Sequence, residues 1–96
     1  MADVFQIGAG LVGRTMALDL SKNHKVFLAD HDLDKLESIK KEDSSIHIKK
    51  VNVKSFGEVS NFIKSADIVL LAIPGFLGFE TLKNIIKNKK DVVDIS

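Results

Sequence analysis

Cysteine is absent from the 96 residues. That removes disulfides, thiol catalysis and cysteine metal sites, and it fits an intracellular protein. Long apolar runs are absent too. The longest, Ile68 to Ile73, is far too short to span a bilayer. No basic stretch followed by an apolar one succeeds Met1, so no signal peptide is visible and a cytoplasmic location is expected. Neither sign of charge is in excess: 14 Lys and Arg stand against 13 Asp and Glu, for a net charge of +1. Nothing in that balance suggests a nucleic-acid or membrane partner. Only one proline is present, Pro74, and no repeat, linker or low-complexity segment is evident. What remains is 45% hydrophobic and 28% charged, an ordinary globular mix long enough for one domain of modest stability.

Along the chain, short apolar runs alternate with helical periodicity. Val4–Ile7 reads as a buried strand. Val12, Met16 and Leu20 recur at helical spacing, and Asn23 is placed to cap that helix in a left-handed conformation. Lys25–Ala29 is a second strand closed by Asp30. Asp32 can cap a helix whose face is Leu33, Leu36 and Ile39. A third strand lies within Ile46–Val53. Ser55–Ala66 is the clearest helix, with Val59, Phe62, Ile63 and Ala66 on one face. Asp67–Ile73 is nearly all apolar, as a strand covered on both faces must be, and Pro74-Gly75 stops it. Phe79, Leu82, Ile85 and Ile86 mark a fourth helix, and Asp91–Ile95 a fifth strand. Five strands alternating with four helices imply an α/β fold with a doubly wound parallel sheet. A glycine turn after the first strand favours the order 3-2-1-4-5, the Rossmann type, in a single domain over residues 1–96.

That turn carries the chemistry. Gly8-Ala9-Gly10-Leu11-Val12-Gly13 matches G-x-G-x-x-G. Gly8 permits the sharp turn, Gly10 lets backbone approach a pyrophosphate, and Gly13 lets the helix pack tightly on the sheet. The anion would meet the free N–H groups at the helix start near Leu11. The pattern alone is weak evidence, but here it follows a strand, opens a helix and sits in one β-α-β unit. Asp30 ends the second strand 17 residues after Gly13, close to the spacing expected of a carboxylate that binds adenosine ribose hydroxyls. The competing account is a turn packed for structural reasons, with Asp30 an ordinary helix cap. A carboxylate at Asp30 would repel a 2′-phosphate, no arginine follows it, and His31 could offset the repulsion only as a cation. NAD is therefore expected over NADP. Ala72-Ile73-Pro74-Gly75-Phe76-Leu77-Gly78 leaves the fourth strand as a loop at the rim where ligands of open α/β sheets bind, and its residues Ala72, Ile73, Pro74 and Gly75 are expected to contact the cofactor. The acidic run Asp30-His31-Asp32-Leu33-Asp34 contains metal-ligand types, but helix capping accounts for it, so no metal is expected. No catalytic acid, base or nucleophile is assignable.

Four segments together resemble the N-terminal domain of the saccharopine dehydrogenase family: Ile7-Gly8-Ala9-Gly10-Leu11-Val12-Gly13-Arg14, Ala29-Asp30, Ala72-Ile73-Pro74-Gly75-Phe76-Leu77-Gly78-Phe79 and Asp91-Val92-Val93-Asp94-Ile95-Ser96. The likeness is greatest to the L-lysine 6-dehydrogenase branch, and it runs the whole length of the chain. The resemblance implies NAD(P)-dependent oxidation at the carbon–nitrogen bond of a lysine-related amino acid, leaving an imine that is hydrolysed. It also implies a downstream domain that binds the amino acid and helps dimerise. Asn52 stands where an acidic residue is common in the family, which bears on adenine-side contacts at Asn52 and Val53. Two further readings stay open: a non-catalytic nucleotide-sensing module, like the regulatory domains that gate potassium transport, and another dehydrogenase, such as one acting on homoserine. The fifth strand should lie at the sheet's outer edge, where unpaired backbone groups can pair with a second copy.

Overall fold

The computed structural model describes residues 2–73 and 75–95 of the chain, apart from the side chains of residues 75–77 and 79. The strands are β1 (Asp3–Ile7), β2 (Lys25–Asp30), β3 (His47–Lys50), β4 (Ile68–Leu71) and β5 (Val92–Asp94). The helices between them are α1 (Leu11–Leu20), α2 (Leu33–Glu42), α3 (Phe56–Phe62) and α4 (Gly75–Lys87). All five strands run parallel in the order β3-β2-β1-β4-β5, as the alternating pattern predicts. β1 is central, with Ile7 opposite Ala29 on one side and Leu71 on the other.

Two apolar layers cover the sheet. Phe5, Ile7, Ala29, Val69 and Leu71 meet Val59, Phe62 and Ile63 around α3 and Ile85 of α4. Val26 and Leu28 meet Ala17 of α1 and Leu36 and Ile39 of α2. Phe5 stacks on Phe27, ring centroids 4.3 Å apart, and meets Phe62 edge-on at 5.2 Å. Among the described residues, no helix is long and apolar enough to cross a membrane.

Four local expectations change. First, α1 has the expected position but a different buried face. Gly13 and Ala17 are its buried residues, whereas Val12 is 58% exposed. The small residues let the helix press onto the turn before it, and that contact, not the widest apolar spacing, sets the rotation. Second, Asn23 is not left-handed, since Lys89 alone among described non-glycine residues has a positive φ, at 57°. α1 ends instead through Asn23 and His24 N–H groups donating to the Leu20 carbonyl. Third, α3 stops at Phe62, before Ala66, although Val59, Phe62, Ile63 and Ala66 are all buried as the periodicity requires. Fourth, the loop expected after Ile73 is short. α4 starts at Gly75, so Gly75 is helical, while Pro74 lies outside the described residues. Two glycines in the first turn cost about 1 kcal/mol each in helix propensity. Burial of Ile85, at 0% exposure, and of Thr81 and Asn84 further along α4 outweighs that cost.

Candidate functional site

Parallel strands bring their C-terminal ends to one rim, and hydrogen bonds there fix who stands beside whom. The Gly8 N–H donates to the Ala29 carbonyl at 2.8 Å, and the Ala72 N–H to the Ile7 carbonyl at 2.8 Å. The Val51 N–H donates to the Asp30 carbonyl at 3.0 Å. The residues expected at the site from β1, β2 and β4 (Gly8 to Gly13, Asp30 with His31, and Ala72 with Ile73) are thereby gathered at this rim, with Asn52 and Val53 one strand further out.

The three glycines differ in what excludes a side chain. Gly8 has φ of +114°, and a Cβ there would overlap the Ala72 carbonyl, whose carbon would lie at 2.7 Å. A Cβ on Gly13 would overlap the Gly8 carbonyl, whose carbon would lie at 2.9 Å. Both glycines are demanded by backbone packed against them. Gly10 has ordinary extended dihedrals, and among the described residues nothing lies within 4 Å of where its Cβ would be. No contact among the described residues excludes a side chain at this position.

Gly10 is also the N-cap of α1. It offers no side-chain cap, and the first turn holds no acidic residue. The positive end of the helix and its first N–H groups are therefore left for an external anion. Beside them an open cleft of about 450 Å³ runs between α1 and α2, lined by Gly10, Leu11, Arg14, Lys35 and Ser38. Leu11 is 83% exposed at its mouth. The residues present fit a dinucleotide: a bare backbone at Gly10, an uncapped helix end and an adjoining cleft.

Asp30 is buried, at 6% exposure. Its Oδ2 accepts from the Ala9 N–H at 2.7 Å, and its Oδ1 from the Asp32 N–H at 2.9 Å. His31 Nδ1 lies 3.2 Å from Oδ1 on an exposed ring. Asp30 thus ties the glycine turn to the start of α2, while Asp32 caps α2 by accepting from the N–H groups of Asp34 and Lys35. Arg14 pairs with Glu42 across the cleft.

Asn52 and Val53 also have partners within the fold. The Asn52 Oδ1 accepts from the Lys54 N–H at 3.0 Å, closing a local turn, and its N–H donates to Glu58 Oε1 at 3.1 Å. Val53 packs against the apolar layer under α3. Among the described residues, no group of three His, Cys, Asp or Glu could hold a metal ion.

One site residue escapes the sequence patterns. Gln6, at 0% exposure in β1, donates from Nε2 to the Gly8 carbonyl at 3.0 Å and the Gly13 carbonyl at 2.6 Å. Its only signal is a polar residue in the middle of the strand that leads into the glycine turn.

Comparison with known families decides among the fold's many users. Residues 4–96 match the family described as saccharopine dehydrogenase NADP binding domain. The chain belongs to that family. No curated protein sequence matches it. Among solved structures, it is similar to apo saccharopine dehydrogenase (L-Glu forming) from Saccharomyces cerevisiae, with a TM-score of 0.86 and 22% identity over 100% of this chain and 22% of that one. It is also similar to a short-chain dehydrogenase/reductase from Veillonella parvula in complex with NADP, with a TM-score of 0.75 and 13% identity over 97% of this chain and 46% of that one. A 3-hydroxyacyl-CoA dehydrogenase from Archaeoglobus fulgidus gives 0.71 and 24%, over 98% and 33% respectively. The chain spans less than half the length of each of these proteins. Their likeness at such identities is one of fold.

Proposed function

We propose that this domain holds a nicotinamide dinucleotide for an oxidoreductase of the saccharopine dehydrogenase type. The observation that carries the reading is Gly10. Two of the three motif glycines are required by backbone packed against them, whereas at Gly10 no described atom excludes a side chain, which supports a ligand approaching from outside. The pyrophosphate lies over Gly10 at the uncapped start of α1, and Asp30 stands at the adenosine ribose. Ala72 and Ile73, with the Gly75 backbone at the start of α4, flank the route toward the nicotinamide. Once bound, the nicotinamide supplies a hydride acceptor; this domain's own part is to bind and orient it. The amino acid oxidised is a lysine relative, as the resemblance of the sequence implies, reacting at its carbon–nitrogen bond on a separate substrate-binding domain.

The preferred form is NAD. A 2′-phosphate would come beside the buried Asp30 carboxylate. The cleft offers little net positive charge to offset that, because Arg14 is paired with Glu42 and the Asp34 carboxylate lines the cleft along with Lys35. The family's description names NADP, so the ratio of the two affinities is the deciding measurement. Calorimetric titration should give tighter binding of NADH than of NADPH, and Gly10→Val should abolish both. Equal or reversed affinities would remove the Asp30 argument. Undiminished binding by Gly10→Val would remove the site. The outer edge of β5 is a second proposed contact surface, for another copy of the chain.

A further inference from the structure

The Gly8–Ala9 peptide is held from both ends. Its carbonyl accepts from Gln6 Nε2 at 3.0 Å, and its N–H donates to Asp30 Oδ2 at 2.7 Å. Both holding groups are buried polar side chains, at 0% and 6% exposure, and they reach the peptide from neighbouring strands. The same Nε2 also takes the Gly13 carbonyl at 2.6 Å, so a single amide joins the turn to the first turn of α1. Two carbonyls facing this end of the amide require its nitrogen there, because an oxygen would repel both. The other end, Oε1, is then left buried without a hydrogen-bond partner among the described residues. That orphaned acceptor is the cost of placing a donor against the Gly8 and Gly13 carbonyls, which a leucine or methionine could not serve.

The need for it follows from Gly8. A glycine at φ of +114° has no Cβ to restrict the peptide that follows. That peptide's orientation sets the direction of the next amides, at Gly10 and Leu11, which face the anion. The geometry points to Gln6 and Asp30 as a two-sided clamp on the Gly8–Ala9 peptide, making Gln6 a positioning residue for the dinucleotide's pyrophosphate. Through this one peptide the carboxylate at the ribose and the turn at the pyrophosphate are mechanically joined. The inference rests on the dinucleotide reading and adds to it a residue outside the glycine motif.

Three forms of the protein test it: wild type, Gln6→Met and Gln6→Glu. Methionine keeps the volume and removes both donors, exchanging the orphaned Oε1 for a Gly8 carbonyl that loses its Nε2 donor, so the net change in stability is small. Amide hydrogen exchange at Ala9 and Gly10 in the free protein should accelerate by about tenfold in Gln6→Met, the equivalent of one net hydrogen bond. Affinity for NADH, by calorimetry, should fall by a similar factor while the thermal midpoint holds. In Gln6→Glu the protonated acid can still donate to one carbonyl, whereas the carboxylate repels both and shares the peptide with the Asp30 charge. Its affinity should therefore fall as pH rises, over a range in which wild type stays level and both proteins stay folded. Unchanged exchange and affinity in Gln6→Met, or an affinity of Gln6→Glu that ignores pH, would overturn the clamp. A wild type that binds neither NADH nor NADPH would instead refute the dinucleotide reading and leave the clamp without a purpose.

Discussion

Alanine placed in turn at Gly8, Gly10 and Gly13 should separate folding from binding at one motif. At Gly8 the new Cβ overlaps the Ala72 carbonyl, touches Ile73 Cγ2 at 3.1 Å, and sits on a backbone with φ of +114°. The neighbour is backbone just past the end of β4, held by the Ala72 N–H bond to the Ile7 carbonyl, and cannot swing aside. Overpacking costs about 1–3 kcal/mol and the strained dihedral about 1–3 more, so a loss of roughly 3 kcal/mol or above is expected. At Gly13 the Cβ overlaps the Gly8 carbonyl and comes within 3.1 Å of Gln6 Nε2. Here the same overpacking of about 1–3 kcal/mol is partly returned by alanine's better helix propensity, worth about 1 kcal/mol. At Gly10 nothing is met, and the exchange at an N-cap costs only some tenths of a kcal/mol, about 0.5.

For a domain of this size each kcal/mol moves the thermal midpoint by about 4–8 °C. Gly8→Ala should therefore lower it by more than roughly 12 °C, Gly13→Ala by less, and Gly10→Ala by only a few degrees. Dinucleotide affinity should rank differently. Gly10→Ala, folded as well as wild type, should lose binding by at least about tenfold, because its methyl stands in the pyrophosphate's approach. Scanning calorimetry and titration on the same three variants give both rankings. If Gly10→Ala destabilises as much as Gly13→Ala, the fold itself occupies that space. If it binds like wild type, the dinucleotide does not pass over Gly10.

Other consequences are local. Asn84 bridges α3 and α4, donating to the Phe56 carbonyl and accepting from Ser60 Oγ and Asn88 Nδ2. Asn84→Ala should cost about 1–3 kcal/mol in denaturant unfolding and leave dinucleotide affinity unchanged; a loss of affinity would mean that the α3–α4 contact reaches the rim. Asp43 is held below the usual carboxylate value of 3.8 by hydrogen bonds from the Ser21 hydroxyl, then from the hydroxyl and N–H of Ser45. A depressed folded value means that the stabilisation is complete above 3.8 and is lost as pH falls through that lower value. Asp43→Asn should therefore be less stable at neutral pH and show a shallower acid limb, and an unchanged limb would refute the assignment. β5 pairs with β4 alone, and Val93 on it is 44% exposed. Sedimentation should show concentration-dependent association that Val93→Lys reverses, and a monomer at every concentration would exclude edge pairing.

The sequence made legible whatever depends on period and punctuation. Five strands, four helices, their order in the sheet and the cap at Asp32 follow from alternation, apolar spacing and a side chain that can bond to free N–H groups. What depends on distance was hidden. Val12 fits a helical apolar stripe but faces outward, because the approach of Gly13 to the Gly8 carbonyl rotates α1. Helical spacing says which residues share a face, and only packing says which face is buried. The early start of α4 was hidden for the opposite reason. Gly75 and Gly78 speak locally for a loop, and the burial of Ile85 and Asn84 two and three turns later overrules them.

The same division runs through the candidate site. G-x-G-x-x-G is readable as a string, yet its three glycines answer to two different demands, and only built positions separate them. Asp30 is readable from spacing as a ribose ligand, but both of its oxygens are already engaged with backbone N–H groups at 2.7 and 2.9 Å. It is therefore part of the turn's scaffold before any ribose arrives. An Asp30→Ala variant would disturb the pyrophosphate turn as well as the ribose contact, so its loss of binding could not be assigned to either alone. Gln6 makes the point from the other direction. In a strand of buried residues a lone polar side chain usually marks an edge or an error of assignment, and β1 is neither. Where such a residue precedes a glycine turn by two positions, the carbonyls the turn forces inward are the first place to look for its partners.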